Sequence, residues 1–226
     1  MVMKLDKVVP FGRSLDEYIK MFDLSLEDLQ QHILGLGDGP ASFNAEGTAK
    51  GYNITSIDPI YQFDGVEIKQ RFDAVVDNIV DQIIDTPDNW VWSYHKNPQD
   101  LKSRRIKALE TFLADYQQGK QENRYKTQAL PNLDLADQSY DLALCSHFLF
   151  LYSEQFDRDF HIAAIEEILR VSQEVRIFPL LTLMQKTSPH LDFVVDKFSN
   201  LGYSTAIVKV PYEFQPGANK MLVIKN

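Results

Sequence analysis

The sequence predicts an α/β fold: a doubly wound, mostly parallel seven-stranded sheet with an antiparallel last strand and a helical insertion between strands two and three. Three observations carry this. Short apolar runs alternate with segments whose apolar residues recur at helical spacing, the βα rhythm of a parallel sheet. Residues 140–145 form a near-continuous apolar run, as in a strand buried on both faces. The last two apolar runs, 204–210 and 221–224, are separated by a turn containing Pro216-Gly217, too short for a crossover, so they pair antiparallel.

Composition bounds the rest. The chain of 226 residues reads as a single domain, 1–226, with 1–31 as an N-terminal helical cover and 60–125 as the insertion. A net charge of −9 opposes broad binding to nucleic acid or anionic membranes, both of which need a basic face. One cysteine, Cys145, permits no internal disulfide and suits a reducing, cytoplasmic setting. No apolar stretch approaches the roughly 18 residues of a membrane span, and residues 1–10 lack the apolar core of a signal peptide.

In chain order, Pro10 and Gly12 break an irregular lead. Ser14 and Glu17 make a capping-box pair that opens a short helix to about Phe22, and Leu24, Leu26 and Leu29 are expected beneath the sheet. Residues 33–36 are the first strand, 42–50 the first helix of the sheet with Gly51 as its stop, and 53–57 the second strand. Apolar residues from Phe72 to Ile84 recur at helical spacing over 65–85. Asn97 caps a further helix that opens at Pro98 and stops at Gly119. The third strand lies near 124–128. A helix over 157–171 and a strand over 175–178 follow, then a helix capped by Ser188, opening at Pro189 and stopping at Gly202.

Gly35, Gly37 and Gly39 stand on alternate positions after the first strand, and Asp58 stands at the tip of the second. Glycines let a ligand approach the backbone, a helix start offers free N–H groups, and a carboxylate accepts two hydrogen bonds from ribose hydroxyls. This is the layout of a nucleotide-binding βαβ unit.

The chain resembles the class I S-adenosylmethionine-dependent methyltransferases over roughly 32–226, less the inserted helices. Gly37-Asp38-Gly39-Pro40-Ala41 fits the later part of the family's acid-x-Gly-x-Gly-x-Gly motif. Leu130-Pro131, the stretch 139–147 (Ser-Tyr-Asp-Leu-Ala-Leu-Cys-Ser-His) and Glu-Glu-Ile-Leu-Arg-Val-Ser at 166–172 resemble its signatures around the fourth and fifth strands. Two positions depart: Gly35 stands where the family keeps an acid that holds the methionine end of the cofactor, and Ala41 replaces the third glycine. Asp38 is the residue placed to take over from the missing acid.

The resemblance implies S-adenosylmethionine as cofactor and S-adenosylhomocysteine as product. It assigns cofactor binding to Gly35, Gly37, Asp38, Gly39, Asp58, Pro59, Ile60, Cys145 and Ser146. His147, where the fourth strand ends, is the candidate general base, against a structural histidine in a cap. Arg13, Tyr152 and Trp92 are candidates for acceptor contact, against ordinary roles as a solvated cation and as core aromatics beneath a loop. The basic run Lys102, Arg104, Arg105, Lys107 reads as a solvated helix face. The Tyr116-x-x-x-Lys120 spacing of short-chain dehydrogenases lacks the matching glycine fingerprint and reads as a coincidence. The five histidines show no metal-ligand spacing, so no metal is expected.

The function expected is methyl transfer to a small molecule or a protein side chain, with no nucleic-acid or membrane partner. The alternative is a non-catalytic, nucleoside-binding descendant of the same fold, which Gly35 and Ala41 motivate. The acceptor and the oligomeric state are not legible in the residues.

Overall fold

A computed structural model of the protein describes residues 8–226. The first seven residues of the expected lead lie outside the described residues. The described chain contains seven strands: β1 (His32–Leu36), β2 (Asn53–Ile57), β3 (Tyr125–Lys126), β4 (Tyr140–Ser146), β5 (Ser172–Phe178), β6 (Ser204–Lys209) and β7 (Lys220–Lys225). They form one sheet in the order β3-β2-β1-β4-β5-β7-β6. All neighbours are parallel except β5–β7 and β6–β7, because the short connection after β6 turns β7 back between β6 and β5. The helices are α1 (Leu15–Met21), α2 (Phe43–Thr48), α3 (Gly65–Ile84), α4 (Pro98–Gln121), α5 (Arg158–Val171) and α6 (Leu191–Asn200).

The apolar patterning explains the layers. β1 and β4 are buried along nearly their whole length, with Leu36 paired to Cys145 and to Ile57, so helices must cover both faces. Ala164, Ile165, Ile168 and Leu169 of α5 and Val194 and Phe198 of α6 cover one face. Leu15, Tyr18 and Met21 of α1 and Phe43 of α2 cover the other. The insertion lies between β2 and β3. There α3 and α4 pack through Ile68, Phe72 and Val76 against Leu109, Phe112 and Tyr116, beside Tyr125 of β3.

Local signals set most boundaries. The Ser14–Glu17 box caps α1, a second box of Asp64 and Glu67 opens α3, and the Asn97 side chain accepts from the Asp100 N–H at the start of α4. Three expectations need correction. Gly119 does not stop α4, which runs to Gln121. Asn123 takes the left-handed position (φ 59°) instead, and Gly119 serves packing, since a Cβ there would stand 2.4 Å from the Tyr125 ring. Leu26 is not under the sheet but 77% exposed, because it sits on a surface turn between buried Leu24 and Leu29. Pro189 lies outside α6, which opens at Leu191; the Ser188 hydroxyl accepts from the His190 N–H before the helix begins. Among the described residues no helix is long and apolar enough to cross a membrane.

Candidate active site

The site is built where the carboxyl ends of β1, β2 and β4 meet, the switch point of the sheet. β1 runs into Gly37-Asp38-Gly39. Gly37 (φ 67°) and Gly39 (φ 55°) both take left-handed backbone, which side-chain-bearing residues rarely adopt. The turn folds Asp38 back over the strand. A Cβ added at residue 35 would stand 1.9 Å from Asp38 Oδ2, so the Asp38 carboxylate fills the space that an acid at position 35 would need. Glycine at 35 is the condition for this arrangement. Tyr18 Oη donates to Asp38 Oδ1 at 2.6 Å, and Ser56 Oγ donates to Oδ2 at 2.6 Å. Burial pushes this carboxyl up to about 7; the two hydroxyls hold it down, and the charge of Asp58 adds to the rise.

Asp58 ends β2 and caps a short 3-10 turn that begins at Pro59. Its Oδ1 accepts from Ile60 N–H at 2.8 Å and its Oδ2 from Gly39 N–H at 2.9 Å. The same carboxylate therefore ties the glycine turn to the second strand. Burial raises its pKa, and the two backbone N–H groups oppose the rise. Tyr61 Oη donates to Gly39 O at 2.8 Å and fixes the turn from the insertion side.

β4 delivers Cys145, Ser146 and His147. Cys145 is fully buried and burial pushes its thiol up to about 12, so it is an inert core residue. His147 has left-handed backbone (φ 50°), held by its N–H to Phe178 O at 2.7 Å. Its Nδ1 lies 3.1 Å from Ser146 Oγ, and Nε2 has no partner among the described residues. Burial, with the charges of Arg13 and Arg105, holds the imidazole well below its ordinary range. The ring is neutral at neutral pH.

The lead segment crosses this site as a roof. At Gly12 a Cβ would stand 2.2 Å from Pro40 O, so only glycine permits the close approach to the glycine turn. Ser42 N–H donates to Arg13 O at 3.0 Å, and Val9 N–H to Tyr152 Oη at 3.3 Å. Beneath the roof Glu17 does two jobs. It completes the capping box of α1, and it pairs with both terminal nitrogens of Arg105 at 2.7 Å. Tyr212 Oη reaches Glu17 at 3.3 Å. Three buried nitrogens here, Arg13 Nε, His95 Nδ1 and Arg105 Nε, have no hydrogen-bond partner among the described residues.

Two cavities result. The larger, about 680 Å³, is bordered by Gly37, Asp38, Gly39, Asp58, Pro59, Ile60, Ser146 and His147, with the lead above. The smaller, about 90 Å³, lies between the insertion, Tyr152, Phe178 and the loop between β6 and β7. Val9, Phe11, Arg13 and His147 line both, so the two adjoin at these residues. Of the candidates drawn from the sequence, Arg13 and His147 therefore stand at the junction and Tyr152 lines the smaller cavity. Gly35 lies beneath Asp38. Cys145 and Trp92 line neither cavity: Trp92 packs edge-on against Phe214, and Trp90 takes the wall position instead. Arg105 is not on a solvated face but buried on Glu17. Tyr116 and Lys120 bond to the Tyr61 carbonyl, within the insertion. Sequence reasoning missed Tyr18, Ser56 and Tyr61 as partners of the two loops, and no local signal marks them. Among the described residues no cluster of three or more His, Cys, Asp or Glu is placed to hold a metal ion.

No protein-family model matches the chain. The chain is 35% identical over 224 residues to the uncharacterized protein MJ0045 of Methanocaldococcus jannaschii, covering 99% of this chain and 98% of that one. Among solved structures, WbdD superposes with a TM-score of 0.50 at 11% identity, over 94% of this chain and 40% of that one. The magnesium protoporphyrin IX methyltransferase ChlM of Synechocystis PCC 6803, with bound S-adenosylhomocysteine, aligns with a TM-score of 0.48 at 13% identity over 94% and 81%. The chain belongs to the family of MJ0045, and its fold is that of the class I S-adenosylmethionine-dependent methyltransferases.

Proposed function

We propose that the protein binds S-adenosylmethionine in the larger cavity and transfers its methyl group to a small molecule or a side chain, acting in the cytoplasm. The observation that carries this is the pair of carboxylates, buried Asp38 and half-buried Asp58, held on either side of the glycine turn in a cavity of about 680 Å³. A cofactor with an ammonium at one end and a ribose diol nearer the other calls for such a pair. The acid displaced from position 35 is restored in space by Asp38, so the donor set fits this cofactor.

Each residue then has a task. Asp58, its orientation set by two backbone N–H groups, keeps lone pairs for ribose hydroxyls. Ile60 and Pro59 offer an apolar edge for the base. Gly37 and Gly39 keep side chains out of the ligand's path. Asp38, braced by Tyr18 and Ser56, faces the ammonium. When bound, S-adenosylmethionine supplies a methyl group on a positively charged sulfur, and S-adenosylhomocysteine remains once that group has left. Ser146 and His147 border the junction where the acceptor meets it, and the lead excludes water above. His147, with its low basicity, acts as a hydrogen-bond acceptor at Nε2 that aligns the nucleophile; alignment is the chief contribution such a site makes.

Calorimetry with S-adenosylhomocysteine tests the reading. Binding to the wild-type protein and a loss of about tenfold to hundredfold in Asp58→Ala are expected, the weight of one or two hydrogen bonds to a charged group. No binding at millimolar concentration sinks it.

A further inference from the structure

The smaller cavity has an unusual charge balance. Its walls are Ile79 and Ile83 of α3, Trp90 stacked on Phe214 (centroids 4.8 Å apart), Leu183 and Phe178. Among the described residues no Asp or Glu lines it, in a protein whose net charge is −9. At its mouth stands the Arg13 guanidinium. Its NH1 donates to Phe11 O at 3.0 Å, its Nε is sealed without a partner, and it has no ion pair among the described residues. Glu17, the acid buried nearby, does not serve it, because the fork of Arg105 takes both Glu17 oxygens at 2.7 Å. Of the two guanidinium groups, only that of Arg105 is paired with the carboxylate. A half-buried guanidinium with its Nε sealed and no counter-charge among the described residues is costly, and its natural partner is a planar anion held by two hydrogen bonds.

We infer that Arg13 is the anchor for a carboxylate on the methyl acceptor, which is a small molecule whose short apolar body, smaller than an aromatic ring, enters the cavity between Trp90 and Phe178. The inference rests on the methyltransferase reading and narrows its acceptor. The size follows from the volume. About 90 Å³ is below the ~150 Å³ that suffices for a dry benzene site, so the body is smaller than an aromatic ring and extends no further than the residues the two cavities share. The polarity follows from the walls, where Arg13, His147 and Gln215 offer hydrogen bonds among apolar side chains. A peptide or nucleic acid presents too much polar backbone for such a lining.

A carboxylate at Arg13 has two sources, the acceptor and the methionine end of the cofactor, since Arg13 lines both cavities. The test separates them. With S-adenosylhomocysteine saturating, wild-type protein is titrated by calorimetry with butanoate and 3-methylbutanoate, and with their neutral isosteres butanamide and 3-methylbutanamide. The carboxylates are expected to bind about tenfold or more tighter than the amides, the fold-change of a charge-assisted hydrogen bond. That preference is expected to vanish in Arg13→Met and to return in part in Arg13→Lys. S-adenosylhomocysteine affinity changes by less than about threefold when the anion contact belongs to the acceptor. Equal binding of acid and amide to the wild type, or no binding of either acid at about millimolar concentration, overturns the inference without any variant having to fold. So does a preference that survives Arg13→Met. Failure of S-adenosylhomocysteine to bind the wild type is a different outcome and overturns the cofactor reading itself.

Discussion

Asp38 shows how one residue's surroundings decide a site's pH response. Its carboxyl is raised from 3.8 to about 7, chiefly by burial. Between those values the unfolded chain ionises while the folded one stays protonated, so this group lowers the stability of the ligand-free protein as pH rises from about 4 to 7, by at most about 1.4 kcal/mol per pH unit. Above 7 the loss is complete and constant. Ligand binding runs the other way. An ionised Asp38 attracts the ligand's ammonium, so S-adenosylhomocysteine affinity is expected to fall about tenfold per unit below pH 7 and to level off above it. Asp38→Asn keeps the shape and the hydroxyl partners. It should bind more weakly at pH 8, show a flat profile between pH 5 and 7, and be more stable than wild type at pH 8 without ligand. Calorimetry and thermal melts across that range measure both; a wild-type affinity that stays level from pH 8 to 5 refutes the pairing. That Gly37, Gly39 and Asp58 meet at one cavity is legible in the sequence because turn chemistry is local. Tyr18 and Ser56 are not, because they reach Asp38 across 20 and 18 residues of chain with no periodic signal.

At the scale of elements, α1 and α4 are joined through the Glu17–Arg105 pair. Burial alone raises the Glu17 carboxyl, but the Arg105 charge and the bonds from His95 and Arg105 outweigh it and hold the pKa well below the usual range. A depressed carboxyl contributes stability that is present above its unfolded value near 4.5 and is lost as pH falls toward the folded one. Glu17→Gln is an informative variant, since glutamine also completes a capping box, so the loss it reports is that of the ion pair. A destabilisation of about 3–5 kcal/mol is expected in denaturant melts, because Arg105 is left charged and buried. Glu17→Gln with Arg105→Met should be less destabilised than Glu17→Gln alone; an additive double variant contradicts this account. The helices themselves were readable from caps and apolar spacing. The pairing was not: Glu17 looks like a complete capping device and Arg105 like one cation in a solvated run, and only the docking of α4 over α1 brings them together. Gly119 misled for a similar reason. A glycine near a helix end resembles a stop, whereas here the close approach of Tyr125 demands it.

At the scale of the whole molecule, the site is closed by segments from every part of the chain. The roof comes from residues 9–13, the floor from the β1 and β2 turns, the junction from the end of β4, and the wall of the smaller cavity from the insertion and the loop between β6 and β7. The class of the sheet and its antiparallel close followed from apolar runs and one short connection, but the joint enclosure did not, because contacts such as Val91 N–H to Phe214 O bridge segments with no common sequence pattern. A ligand seated in that enclosure touches all of these segments only when they are assembled. It therefore stabilises the folded state as a unit. S-adenosylhomocysteine at about 100 times its Kd should add ~2.7 kcal/mol. For a chain of this size each kcal/mol moves Tm by about 2–4 °C, so a rise of roughly 5–10 °C is expected. The transition should stay single, with slowed amide exchange both in residues 9–13 and at 147–152. Two transitions, of which only one moves with ligand, would show that the insertion folds apart from the sheet and that the smaller cavity is not part of the ligand-binding unit.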